Sequence, residues 1–366
     1  MLSVSCIDVW DDKFFQSFVE FKNFIHKDIP TSFPETLDGM KKYFGKDSVF
    51  DDIRWRAYRV FSDDRVVGQA ILVLQNNCSQ ANLGFIDWVH DAEVAKLLGS
   101  ITSNDAKDWG AKQIKTPVDL NFFLRYRIRC PGGKRPVYGE PVYPDYYHKM
   151  FAEAGFVEAG RWNTFETKVW DTIKDFSNKR KSLLPNLKVK ANIRCVRPSK
   201  WDEELAIIHK LFVSAYKNMP EYQSVSFPQF KLLYDDFRYL INPWLSFIAE
   251  VDGQPVGFSI NFVDPLPLLQ KIKGKNLNSV QKLWLLIRLR LNLGTLLIAH
   301  VGITPAPDGR EIKGMQIQVA KRLSIPALMM TRVLSTFQNV NSPAVRSWNQ
   351  EVIIPYAQYV IYGKEL

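Results

Sequence analysis

The 366-residue chain has no uninterrupted apolar stretch approaching the ~20 residues that a membrane-crossing helix requires. Its longest apolar helical candidate, Leu283 to Leu291, is broken by Arg288 and Arg290. The start, MLSVSCIDVWDD, has neither the basic opening nor the apolar centre of a secretory signal, so a cytoplasmic protein without a transmembrane segment is expected. Cysteine is scarce. Cys6, Cys78, Cys130 and Cys195 lie far apart with no C-x-x-C pair, which argues against a disulfide framework and a cysteine zinc site. The five histidines, His26, His90, His148, His209 and His300, are equally scattered, with no H-E-x-x-H, and no metal is expected. Acidic residues are missing from two long stretches. Asn178 to Lys200 carries eight basic residues and Pro265 to Arg290 carries six, which suits either solvated surfaces or contact with polyanions.

What is abundant is core-forming material: 46% of residues are hydrophobic and 13% aromatic, enough for about two domains at roughly 150 residues each. Ser3 to Val9 alternates like a strand, and Lys13 to His26 places Phe14, Phe18 and Phe21 at helical spacing. Ile53 to Phe61 and Val66 to Leu74 form a hairpin pattern around a Ser-Asp-Asp-Arg turn, and Asn82 to Val89 reads as a further strand. Ala92 to Trp109 then has a buried helical face of Val94, Leu97, Leu98 and Ile101. Gln113 to Val118 returns to the sheet, Tyr146 to Ala154 is a short helix and Val157 to Val169 a closing strand. A second copy of this order begins with strand Lys190 to Arg197, helices Trp201 to Lys217 and Phe227 to Leu240, and a hairpin of Trp244 to Val251 with Pro255 to Val263 about Asp252-Gly253. The expected division is residues 1–170, a basic linker 171–188, and residues 189–366 with a helical insertion at 264–292.

The last seventy residues are the most specific. TLLIAHVGI, Thr295 to Ile303, is an apolar run of strand length, followed by the turn PAPDGREIKG and a helical pattern with Ile312, Met315, Val319 and Leu323 on one face. A helix N-terminus directly after a buried strand offers unpaired N–H groups and a positive dipole end, a place suited to a pyrophosphate. This segment resembles the C-terminal half of a GCN5-related N-acetyltransferase (GNAT) domain, and the whole chain resembles bacterial proteins with two GNAT domains in tandem. The resemblance implies an α/β (α+β) fold of two acyl-CoA N-acyltransferase-like domains, each a mixed, mostly antiparallel sheet flanked by helices.

It also implies acetyl-CoA or another acyl-CoA as co-substrate and a small-molecule or peptide amine as acceptor. By the family's pattern, the backbone of Val301, Gly302 and Ile303 would face the thioester. Arg310, Lys313, Gly314 and Met315 would form the phosphate turn, with Gly314 allowing close approach and the two basic residues supplying counter-charge, and Asn341 would hold the pantetheine arm. Tyr356 stands nearest to the family's proton-donating tyrosine, and Glu250 stands where some members place a base. In residues 1–170 the equivalent FIDWVHDAEVAKLL has no glycine, and Asp91 and Glu93 occupy the helix start, so that half is expected to be degenerate.

Two alternatives are consistent with the same sequence. One is a non-catalytic binding protein with both cofactor sites eroded. The other is a Fem-like aminoacyl transferase using a tRNA-borne substrate, to which the basic stretches could bind. N-myristoyltransferases also pair such domains, but the chain carries none of that family's signatures. The insertion, helical at Leu266 to Ile272 and Val280 to Leu291, could act as a lid over the acceptor site, clamp the domains or lie on an anionic surface.

Overall fold

Residues 1–29, 31–167, 191–219, 222–273, 278–291, 293–305, 329–340 and 353–366 are described by the computed structural model. Contacts part the chain into two units, Met1–Arg161 with Gln358–Leu366, and Trp162–Ala357. The first unit opens with β1 (Leu2–Ile7) and α1 (Asp12–Ile25). The Asp11 carboxylate accepts the Phe14 N–H and caps α1, which buries Phe14, Phe15, Phe18, Val19 and Phe21 as its spacing predicts. α2 (Leu37–Phe44) follows. Only Met40 and Phe44 are buried on this short helix, too weak a period to read in the sequence. β2 (Ile53–Ser62), β3 (Arg65–Gln75) and β4 (Gln80–Trp88) form an antiparallel meander beside β1. α3 (Ala92–Asp108) crosses to β5 (Gln113–Thr116), which runs parallel to β4. The short strands β6 (Val118–Asp119) and β7 (Arg125–Tyr126) pair with each other, and β8 (Ile128–Arg129), α4 (Tyr147–Glu153) and β9 (Val157–Thr167) follow.

The second unit repeats the order: β10 (Asn192–Cys195), α5 (Trp201–Tyr216), α6 (Phe227–Tyr234), α7 (Phe237–Leu240), then β11 (Phe247–Val251) and β12 (Gln254–Val263). The hairpin turn has positive φ at both Asp252 (50°) and Gly253 (74°), the conformation that a D-G pair tolerates. α8 (Leu266–Ile272) and α9 (Ser279–Arg290) lead into β13 (Thr295–Ile303). β10 to β13 pair antiparallel in sequence order; β14 (Arg332–Asn339) runs parallel to β13, and Trp162–Glu166 pairs antiparallel with β14. β15 (Ile353–Glu365) ends the chain, and its Tyr362–Glu365 pairs antiparallel with β5.

Each unit is thus a mixed, mostly antiparallel sheet with helices. Two details differ from the sequence expectation. The helix expected over 227–240 is two, because Asp235 and Asp236 put adjacent carboxylates of low helix propensity at a helix C-terminus, where the dipole disfavours them. Relative to a boundary near residue 170, Trp162–Thr167 falls in the second unit and Gln358–Leu366 in the first, because their strand partners lie there. The linker 171–188 lies outside the described residues.

Candidate functional site

In the second unit β13 pairs with β14 only from Thr295↔Arg332 to Ile298↔Ser335, while β13 itself continues to Ile303 against β12. The two parallel strands therefore fork after Ile298. At the fork Ala299 is an extra residue, since Ile298 faces Asn261 and His300 faces Ile260. Such a bulge bends a strand and re-aims its groups, a device common beside functional sites. A buried polar knot braces the strand opposite: Asn261 Nδ2 donates to Leu245 O at 2.6 Å, and Ser246 Oγ donates to Asn261 O at 2.8 Å. The His300 ring meets Phe212 at 5.1 Å and Tyr234 at 6.2 Å, anchoring the bulged segment to α5 and α6.

The expected strand residues lie on this fork. Val301 pairs with Ser259, Gly302 with Phe258 and Ile303 with Gly257. The Val301 carbonyl accepts from the Tyr216 hydroxyl at 3.0 Å. Gly302 is needed for packing within the unit, because a Cβ there would lie 2.3 Å from the Phe258 ring and 3.1 Å from Ala215 Cβ. Arg310, Lys313, Gly314, Met315 and Asn341 lie outside the described residues.

The two candidates for proton transfer are both engaged. Tyr356 is buried on β15, not on a helix; Arg332 donates to its hydroxyl at 3.3 Å while also pairing with Glu166 at 3.1 Å. Glu250, at the end of β11, accepts from Arg194 Nε at 2.6 Å. Arg194 also grips the fully buried Glu204, to which Arg197 adds a second charge-assisted bond.

The first unit has the same fork with a different content. β4 pairs with β5 only from Gln80↔Gln113 to Asn82↔Lys115, and β4 then runs on to Trp88. Residues 118–120 fill the gap. The Phe85 N–H donates to the Asp119 carboxylate, and Asn82 Nδ2 donates to Leu120 O at 3.1 Å. At Gly84 an added Cβ would sit 2.0 Å from Val118 O, so only glycine lets this segment close on the strand. The start of α3 is capped by Asp91, whose side chain accepts the Glu93 N–H at 2.8 Å.

Sequence reasoning missed a buried polar cluster in the first unit. A cavity of roughly 40 Å³, room for a few waters, is lined by Lys22, His26, Asp87, Asp119, Arg125 and Tyr143 among others. His26 Nε2 and Asp87 Oδ1 are 2.6 Å apart, with side chains only 6% and 2% exposed. Asp87 also accepts from Gln69 Nε2 at 2.9 Å and from the Tyr147 hydroxyl at 3.2 Å. Burial alone would raise the Asp87 pKa, but His26, Lys22 and the Gln69 bond hold it below the ordinary carboxylate value. Glu35 is likewise held low against burial by Lys22 and Arg125, while burial pushes Tyr143 well above the ordinary phenol value. The legible signal was a charged residue inside apolar strand runs, Asp87 in LGFIDW and Asp119 in PVDL. Chemically the cluster can hold a donor–acceptor pair beside water; structurally it clamps α1 to the sheet, since Gln69 also donates to Phe18 O at 3.0 Å.

Among the described residues no group of three or more His, Cys, Asp or Glu side chains is placed to hold a metal ion, and no helix is long and apolar enough to cross a membrane.

A duplicated order of antiparallel meander, forked parallel pair and flanking helices is the tandem GNAT fold, and solved structures agree. A conserved protein of Enterococcus faecalis V583, described as a candidate N-acyltransferase, superposes with a TM-score of 0.55 at 9% identity over all of this chain and 73% of its own. A tandem GNAT protein from the clavulanic acid biosynthesis pathway superposes with a TM-score of 0.50 at 10% identity, over 100% of this chain and 98% of that one. Eis1 from Mycobacterium abscessus gives 0.51 at 10% identity, over 99% and 73%. By sequence, Protein YghO of Escherichia coli K12 is 22% identical over 374 residues, spanning 96% of this chain and 93% of that protein. No protein-family model matches the chain. The superpositions establish the fold and leave the chemistry to the site.

Proposed function

We propose that the chain is an acyl-CoA-dependent N-acyltransferase that holds acetyl-CoA or another acyl-CoA in its second unit and acylates an amine of a small molecule or peptide. The observation that carries this reading is the fork after Ile298, where β13 leaves β14, bulges once at Ala299 and continues to Ile303. A strand edge of this kind offers backbone groups to an extended amide-bearing arm, as β-strand addition does. Val301, Gly302 and Ile303 are assigned to the arm and thioester end, Arg310, Lys313, Gly314 and Met315 to the phosphates, and Asn341 to the arm. The first unit, its fork filled by residues 118–120, serves as a scaffold without cofactor.

In the reaction the neutral amine attacks the thioester carbonyl, an N–C bond forms, the C–S bond breaks and the thiolate leaves. The nitrogen gives up one proton and the thiolate takes one. Glu250 can take a proton only by loosening its 2.6 Å bond to Arg194, and Tyr356 can give one only from beneath Arg332. A solvated amine arriving neutral needs no protein base.

Isothermal titration of acetyl-CoA and of a longer acyl-CoA tests the assignment. Binding that Gly314→Glu abolishes is the expected result. Absence of binding by either thioester would leave a non-catalytic tandem scaffold.

A further inference from the structure

We propose that α9 and its surroundings form a docking surface for an anionic lipid bilayer, on which the second unit lies without spanning it. The helix has two apolar faces. Leu285, Leu286 and Leu289 are half-buried, whereas Val280, Leu283, Trp284, Ile287 and Leu291, spaced by three or four residues, form a second stripe that is exposed. Val280 and Leu291 are 75% and 73% exposed, and Leu293 just beyond them is exposed too. Asn278 and Gln281 close a reciprocal capping box, so the helix is defined by its own sequence.

A single exposed leucine is ordinary, but a continuous stripe of this kind on a basic helix is not. No acidic residue occurs from 265 to 307, while Lys271, Lys273, Lys282 and Arg288 lie in that stretch. The Arg288 guanidinium stacks 4.5 Å from the Trp284 ring, and on α7, which packs near α9, Arg238 stacks 5.0 Å from the exposed Tyr239. Trp244, shortly after α7, is 77% exposed. An indole stacked with a cation on an apolar stripe, as Trp284 is with Arg288, matches the headgroup boundary of a bilayer, where the stripe enters the acyl region and the cation meets anionic headgroups. An RNA partner would leave the five aliphatic and indole groups of the stripe without an apolar environment, so lipid is favoured over nucleic acid.

The full chain is sedimented with vesicles of phosphatidylcholine containing phosphatidylglycerol, and separately with phosphatidylcholine alone. Wild type should pellet with the anionic vesicles, less with neutral ones, and less as salt rises. Leu283→Asp and Ile287→Asp should each weaken pelleting at least tenfold, because one such buried side chain is worth about that in a binding constant. Both positions are exposed, so their thermal midpoints should match wild type, and Trp284→Ser provides a third, uncharged variant. Failure of wild type to pellet, pelleting indifferent to all three substitutions, or a dimer that Ile287→Asp dissociates would each overturn the proposal, the last by showing that a second copy covers the stripe. Binding to an RNA oligonucleotide without binding to vesicles would overturn it equally. None of these readouts depends on acyl transfer.

Discussion

The forks of the two units share a topology and differ in what stands between their strands. In the first, three residue pairs join β4 to β5 before β4 departs; in the second, four join β13 to β14. Both departing strands then bulge, at Phe85, whose φ is 45°, and at Ala299. The first fork is closed by its own chain, with Val118 to Leu120 hydrogen-bonded into the gap and Gly84 permitting the approach. At the second, the strand partner of residues 299–303 is β12 alone among the described residues, and Tyr216 satisfies the Val301 carbonyl from α5. A duplicated fold therefore leaves each fork's content to a segment outside the fork. In the first unit a few residues after β5 are enough to make the gap part of the core, with Val118, Asp119 and Leu120 all buried.

The largest effect is expected of Gly84→Val, which would drive carbon atoms into Val118 O and the Asp119 backbone. A backbone clash of this size should cost about 3 kcal/mol or more, read as a lower midpoint in urea, with acyl-CoA binding retained wherever the second unit stays folded. Unchanged stability would mean that residues 118–120 do not close the fork.

His26→Ala should come close behind. It leaves the buried Asp87 without its imidazole partner, with only Gln69 and Tyr147 still donating to it, at a cost of about 1–3 kcal/mol. The pH dependence gives a separate readout. Because the folded Asp87 and Glu35 are held below ordinary carboxylates, they contribute stability at pH values above the unfolded value of about 4, and that contribution is lost as pH falls through their lower folded values. The wild-type acid limb should therefore be steeper than that of His26→Ala, in urea midpoints measured across the acid range. Equal limbs would remove the electrostatic role given to His26.

The smallest change sharpens the second fork. Tyr216→Phe removes one hydrogen bond to Val301 O and should cost about 1 kcal/mol. If that carbonyl belongs to the cofactor's arm, acyl-CoA affinity should hold or rise in the same titration, since a competing donor is gone. A marked loss of affinity would instead make the Tyr216 contact part of the site.

Much of the fold was legible. β13 begins and ends where the apolar run TLLIAHVGI does, and the D-G turn between β11 and β12 needed only its two residues. The site was far less so. Glu250 read as a strand-end carboxylate and Tyr356 as a terminal tyrosine; their partners Arg194 and Arg332 are 56 and 24 residues away in sequence. Asp87 stood out as a charge inside an apolar run, but its partners did not, since His26 lies 61 residues earlier and Tyr147 lies 60 later.

Most of the elements, their duplicated order and the basic, acid-free insertion follow from the sequence, because periodicity, caps and turn residues act over a few neighbours. Tertiary structure alone decided that one fork is filled, that His26 meets Asp87 in a buried pair and that the stripe on α9 stays exposed. Hydrogen bonds, desolvation and steric exclusion depend on which distant residues arrive at the same place, and no local pattern encodes that meeting.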